Sequence, residues 1–205
     1  MTSPSNPVPL ILASGSPRRR EFFERLGYDF TIVRPDTAEH ARPGETARDY
    51  VRRNAAEKAA EVASRHPTSV VVSADTVVVQ DGEILEKPKS PADARRMLRE
   101  LSGRTHHVMT GLCSRGPSPS GTPAEVSDVV VTDVEFKPLS DAEIDVYIAS
   151  GEPADKAGAY AIQGLAAYMI LAIRGSYTNV VGLPLAEVVD ILATRFSIHP
   201  RLSPA

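Results

Sequence analysis

The run from Val70 to Val79 constrains this chain more than any other segment. It is β-branched and apolar except at Ser73, Asp75 and Thr76, so it reads as a strand buried on both faces. Asp81-Gly82 then offers a two-residue hairpin turn into Glu83 to Glu86. Around this strand, strands alternate with helices. Val8 to Ala13 is a short apolar run followed by Ser14-Gly15-Ser16-Pro17, in which Ser16 suits a helix N-cap and Pro17 the first helical position. That helix carries Phe22, Phe23 and Leu26 on one side and stops at Gly27. A second helix is expected from near Thr46, with Asp49 three residues on, to about Arg65. Ser90-Pro91-Ala92-Asp93 opens a third, which Gly103 ends. Thr105 to Arg115 and Glu125 to Lys137 read as long strands flanking a Pro/Gly/Ser-rich surface connector, Gly116 to Ala124. Ser140-Asp141-Ala142-Glu143 caps a helix to Ser150. After the irregular segment Glu152 to Gly164 come a strand from Ala167 to Ile173, a turn at Gly175-Ser176 and a last helix from Leu185 to Phe196. Helices interleaved with strands, some of them in hairpins, predict an α/β fold on a mixed sheet.

Composition removes several classes of function. Of 205 residues, 42% are hydrophobic and 24% charged, which suits one globular domain and argues against disorder, collagen or coiled coil. The formal net charge is −3 and no block is basic enough for a nucleic-acid surface. Cys113 is the only cysteine, so an intrachain disulfide and a cysteine-built zinc site are both excluded. The N-terminal Met-Thr-Ser-Pro-Ser-Asn-Pro lacks the pattern of a signal peptide, and residues 1–7 are expected to be flexible. The longest apolar stretch, Leu165 to Ile173, is nine residues and too short to cross a bilayer as a helix. The expectation is a cytoplasmic, soluble protein without a membrane partner.

Candidate chemistry begins at Ser14 to Arg20. A helix N-terminus presents unpaired N–H groups and the positive end of the helix dipole, so Arg18, Arg19 and Arg20 in its first turn are electrostatically misplaced unless an anion binds there. The alternative is a solvated basic turn. Lys58 falls inside the apolar stripe formed by Val51, Ala55 and Val62, where it either snorkels past its neighbours or meets an anion in a cleft. Asp75 interrupts the buried strand on the face of Val71, Val77 and Val79. A carboxylate there is paired with a nearby backbone, binds metal or acts as a general base. Thr76 points to the opposite face. Asp155, Lys156 and Gln163 lie in the irregular segment, of a kind that lines sites or is a plain loop. His106 and His107, adjacent on a strand, face opposite sides and do not form a two-histidine metal site. No Gly-x-Ser-x-Gly or His-Glu-x-x-His motif is present, which disfavours acyl-enzyme and zinc-protease chemistry.

Several of these segments together resemble one known family. Ala13-Ser14-Gly15-Ser16-Pro17-Arg18-Arg19, Ser73-Ala74-Asp75-Thr76, Glu86-Lys87-Pro88 and Leu101-Ser102-Gly103 are followed by His106 or His107 and Thr110-Gly111. Asp155 through Tyr160, Gln163-Gly164 and Val181-Gly182-Leu183-Pro184 complete the set. In this order they resemble the Maf family of nucleoside triphosphate pyrophosphatases. The resemblance implies a Maf/ITPase-like α/β fold with an elongated, twisted mixed sheet and flanking helices, and two lobes around a nucleotide cleft, with residues 1–205 as a single domain. It implies hydrolysis of a nucleoside triphosphate to monophosphate and pyrophosphate with a divalent metal cation, Mg²⁺ or Mn²⁺.

Carried over by residue, Asp75 matches the family's catalytic aspartate. Glu39, Lys58 and Lys87 match the acidic and two basic residues around metal and phosphates, with Asp75 and Glu39 as the metal-holding pair. Arg18, Thr76 and Gln163 match the trio associated with the dTTP/UTP branch. Ser14, Ser16 and Arg19 would cradle phosphate, and Asp155 and Lys156 would complete the far wall. A homodimer is compatible with the resemblance, and nucleic acid is not an expected partner. Because Maf proteins are also associated with inhibition of septum formation, a nucleotide-controlled regulator that acts on cell division by binding a partner is the alternative reading.

Overall fold

The computed structural model describes residues 8–202. The expected flexibility of residues 1–7 lies outside the described residues. The chain forms two compact units. The first holds the described residues up to Asp75, Gly111–Val129 and the described residues from Gly182 on; the second holds Thr76–Thr110 and Val130–Val181.

Among the described residues the sheet has seven strands: β1 (Leu10–Ala13), β2 (Thr31–Ile32), β3 (Val70–Gln80), β4 (Glu83–Leu85), β5 (Thr105–Gly116), β6 (Ala124–Phe136) and β7 (Ile170–Arg174). Their order is β2-β1-β3-β5-β6-β7, with β4 paired to β3. β1 runs parallel to β2 and β3, whereas β4 is antiparallel to β3 and β7 to β6, so the sheet is mixed, as the interleaved pattern predicts. The β3–β4 turn places Asp81 and Gly82 at φ of 53° and 86°, the left-handed pair that the Asp-Gly sequence favours.

The helices are α1 (Pro17–Arg25), α2 (Ala47–Arg65), α3 (Pro91–Leu101), α4 (Asp141–Ala149), α5 (Tyr177–Val181) and α6 (Leu185–Phe196). Their starts follow the caps expected from the sequence. The Thr46 and Ser90 side chains accept the Asp49 and Asp93 N–H groups, and Ser140 with Glu143 closes a reciprocal capping box. Ser16 occupies the N-cap of α1 without a side-chain cap bond; the Ser14 hydroxyl instead accepts the Ser16 N–H at 3.2 Å.

In the first unit, α2 seats small residues on the sheet. Ala55, Ala59 and Val62 pack with Ile11, Ala13, Val71 and Cys113. The approach is close at Gly111 of β5, where a Cβ would lie 2.2 Å from the Val51 carbonyl oxygen, so only glycine lets the helix rest there. Burial pushes the Cys113 thiol up to about 11, which makes it a packing residue. The second unit has its own core, in which Ala94, Met97, Leu98 and Leu101 of α3 and Ile144 and Tyr147 of α4 are buried, together with Val134 and Phe136 of β6.

Two local expectations need correction, and two short elements were not expected. The segment Glu152 to Gly164 is not wholly irregular, since it contains short 3₁₀ turns at Glu152–Asp155 and Ala157–Ala159. The strand expected from Ala167 begins only at Ile170, because Leu165–Met169 forms another 3₁₀ turn whose first N–H groups are accepted by the Glu152 carboxylate. β2 and α5, of two and five residues, are too short for hydrophobic periodicity to reveal. Among the described residues, no helix is long and apolar enough to cross a membrane.

Candidate active site

In the first unit, Lys58 is where helical periodicity puts it, buried in the apolar stripe of α2, and what it meets is negative charge. Its Nζ lies 2.8 Å from Glu39 Oε1 and donates at 2.7 Å to Asp75 Oδ1. The Asp75 side chain is 9% exposed and that of Lys58 8%, whereas Glu39 is half exposed. Asp75 is thus the buried partner and Glu39 the one turned to solvent. Of the two fates open to a lysine in this stripe, pairing with anions is the one realised, because a buried ammonium and a buried carboxylate each need the other.

A further residue joins this group. Asn54, buried one turn before Lys58, donates from Nδ2 to Asp75 Oδ2 at 3.0 Å. Its Oδ1 accepts from Arg53 Nη1 at 3.0 Å, which fixes the orientation of the amide. Arg53 is in turn held by both carboxylate oxygens of Glu45, at 2.6 and 2.7 Å, and its guanidinium holds the Glu45 carboxyl down at about 2. Sequence reasoning missed Asn54. The available signal was an amide four residues before Lys58 on the same helical stripe.

The arginines of α1 go separate ways. Arg20 is exposed and pairs with Glu24 at 2.6 Å. Arg19 turns inward: Nε donates to the Gly182 carbonyl at 2.7 Å, and Nη1 to the Ala74 carbonyl at 2.8 Å and to Ser14 Oγ at 3.3 Å. Burial pulls its guanidinium below the usual arginine range, with Asp75 opposing the shift. Arg19 therefore braces the backbone just before Asp75. Arg18 and Ser16 are half-buried at the start of α1, and Ser14 is buried at the end of β1.

The second unit carries the other expected residues. The Thr76 hydroxyl is 2.9 Å from that of Thr110, which donates to the Asn179 carbonyl at 3.1 Å. Lys87 is exposed in the loop after β4. The Gly158 N–H donates to the Glu86 carbonyl at 3.2 Å and so ties that loop to the turn bearing Asp155 and Lys156, which form an ion pair with each other. Gln163 is exposed, and its amide makes no hydrogen bond among the described residues. His106 is buried with Nε2 2.8 Å from the Tyr160 hydroxyl, and burial pushes its imidazole down to about 3. His107 is exposed beside Asp133 at 2.8 Å, so the two histidines do face opposite ways.

No three His, Cys, Asp or Glu side chains among the described residues are grouped to hold a metal by themselves. The first unit offers two carboxylates converging on one ammonium. That donor set, hard oxygens and few of them, fits Mg²⁺ or Mn²⁺ taken up together with phosphate oxygens better than a closed protein cage.

A family model described as Maf-like protein matches residues 9–195. The chain belongs to that family. Among Maf-like relatives, the dTTP/UTP pyrophosphatase of Anaeromyxobacter dehalogenans (strain 2CP-C) is 53% identical over 183 residues, 89% of this chain and 92% of the relative. That of Vibrio parahaemolyticus serotype O3:K6 is 53% identical over 184 residues, 89% of this chain and 95% of the relative. That of Nitratidesulfovibrio vulgaris is 48% identical over 195 residues, 95% and 91% respectively. A looser likeness, with TM-score 0.43 and 18% identity, links 62% of this chain to 71% of the Staphylococcus aureus Ham1 protein.

Proposed function

We propose that this Maf-like chain is a nucleoside triphosphate pyrophosphatase that converts dTTP and UTP to the monophosphate and pyrophosphate. The observation that carries the reading is the buried Lys58–Asp75 pair with Glu39 and Asn54 around it. The naming of relatives about half identical over most of the chain supports it. Burying a carboxylate inside a strand is costly, and a role in chemistry is a reason to retain it.

Asp75 and Glu39 would hold a divalent cation. When bound, that ion supplies charge neutralisation on the phosphate oxygens and brings the carboxylates and the polyphosphate together. The chain's own part is as follows. Asp75 Oδ2, fixed by Asn54, stays oriented while Oδ1 faces Lys58, and the carboxylate is the group that accepts the proton of the attacking water. Lys58 and Lys87 supply cations for the charge that develops on the departing pyrophosphate. Ser14, Ser16 and Arg18 at the start of α1 present a hydroxyl-rich, positive turn to phosphate, while Arg19 holds that turn to the Ala74 and Gly182 backbone. Asp155 and Lys156 would contribute to substrate binding, and Thr76 and Gln163 would serve base selection. The Gln163 amide both donates and accepts, matching the N3–H and carbonyl groups of thymine and uracil. The same reading carries a cytoplasmic location and no nucleic-acid or membrane partner.

The test is product analysis with dTTP, UTP, CTP and GTP, each with Mg²⁺ or Mn²⁺ and again with chelator. Metal-dependent release of pyrophosphate from dTTP and UTP is expected. Release of inorganic phosphate with a nucleoside diphosphate, or equal turnover of all four, would overturn the reaction or the substrate assignment respectively.

A further inference from the structure

The turn that presents Gln163 is pinned from both sides by two residues with no role so far. Gln163 sits in a turn closed by the Gly164 N–H donating to the Ala161 carbonyl at 3.0 Å. On the entry side, the Ala161 N–H donates to the Tyr147 hydroxyl at 3.3 Å. On the exit side, the Glu152 carboxylate accepts the Leu165 N–H on Oε2 at 2.9 Å and the Ala166 N–H on Oε1 at 3.3 Å. Tyr147 and Glu152 are joined to each other, since the Tyr147 hydroxyl donates to Glu152 Oε1 at 2.9 Å. A closed bridge thus runs from one arm of the turn to the other through one phenol and one carboxylate.

The bridge is tight. A Cβ on Gly164 would lie 2.2 Å from Glu152 Oε2, so the carboxylate rests directly on the turn backbone. Tyr147 is 3% exposed, and burial with the adjacent Glu152 pushes its phenol up, so it remains an O–H donor at any working pH. The residue before the turn is anchored as well, by the contact of the Tyr160 hydroxyl with His106. The backbone around Gln163 is therefore fixed, although its side chain is exposed and makes no hydrogen bond among the described residues. A side chain that must choose between bases by hydrogen bonding gains from such fixing, because selectivity is lost when the donor and acceptor are displaced by a fraction of an ångström.

We propose that Tyr147 and Glu152 are positioning residues that hold the Gln163 turn, and that through it they set base selectivity. The selectivity half rests on the pyrophosphatase reading above; the positioning half does not. Tyr147→Phe keeps the ring and removes both hydrogen bonds, so the Ala161, Leu165 and Ala166 amides should exchange with solvent faster. The kcat/KM preference for dTTP and UTP over CTP and GTP should fall about tenfold. Glu152→Ala should do the same, and Glu152→Gln, which keeps one acceptor oxygen, should recover part of the preference. In a Gln163→Ala background, Tyr147→Phe should change the preference no further.

Unchanged amide exchange in Tyr147→Phe overturns the proposal. So does faster exchange with the base ranking intact, or a loss spread equally over all four triphosphates in step with a lowered Tm, which marks a purely structural bridge. If the wild-type protein turns over none of the four, the pyrophosphatase reading fails and the selectivity half with it, while the exchange measurement still decides the positioning half.

Discussion

The Asp75 cluster of the first unit and the Gln163 turn of the second solve opposite problems. Around Asp75, charge is buried, and it is held by regular structure: a strand supplies the carboxylate, one face of α2 supplies Asn54 and Lys58, and Gly111 lets that helix sit on the sheet. Around Gln163 the side chain is exposed, and the backbone beneath it is irregular and held by side chains instead. A buried charge tolerates no slack, because an unmatched partner costs its full desolvation, so helix and strand provide the frame. An exposed side chain carries no such desolvation cost, and a phenol and a carboxylate suffice to fix the backbone beneath it.

The sharpest way to break this contrast is at Lys58. Lys58→Met leaves Asp75 buried with only the Asn54 amide for company and should destabilise the fold by about 3–5 kcal/mol while abolishing turnover; denaturant melts and kcat with dTTP check both. An unchanged denaturation midpoint would mean that the pair is not the buried unit described. Asp75→Asn should lose at least about 100-fold in turnover with the fold retained, and a folded variant that keeps a tenth of the activity moves the chemistry elsewhere.

Smaller effects separate frame from fastening. Gly111→Ala drives a methyl against the Val51 backbone, which cannot step aside, and should cost about 1–3 kcal/mol in a thermal or chemical melt. His106 tests the second unit through pH. Its folded value of about 3 lies below the ordinary value of about 6.5, so the unfolded chain takes up a proton that the folded chain refuses. The stability from the neutral imidazole is complete above pH 6.5 and is lost as pH falls toward 3, by about 1.4 kcal/mol per pH unit. His106→Gln should flatten the Tm profile between pH 6.5 and 4 relative to the wild-type protein. Least costly should be Gly164→Ala. The new methyl meets the end of the Glu152 side chain rather than backbone, so Tm should move little while base preference weakens; a Tm loss as large as that of Gly111→Ala would show the two regions to be equally rigid.

Much of the frame was legible in the amino-acid order, because caps and periodicity are local. Thr46, Ser90 and Ser140 mark the starts of α2, α3 and α4, and Asp81-Gly82 marks the hairpin. Lys58 in an apolar stripe and Asp75 in an apolar strand were visible as anomalies for the same reason. Their partnership was not, since a helical wheel and a strand alternation say which way each residue faces and nothing of which two faces meet. Asn54 went unnoticed because a polar residue at a helix position is unremarkable until its neighbour across the fold is known.

By itself, then, the sequence determined the alternation of strand and helix, the boundaries of the longer helices, the mixed sheet and the oddity of a lysine and an aspartate among apolar neighbours. Only the tertiary structure decided that Lys58 is shared by Glu39 and Asp75, that Arg19 spends its guanidinium on the Gly182 and Ala74 carbonyls, and that Tyr147 and Glu152 fasten the Gln163 turn. The physical reason is range. Capping and amphipathic periodicity act within a few residues of chain, whereas a hydrogen bond between Arg19 and Gly182, 163 positions apart, exists only once the backbone between them has been folded.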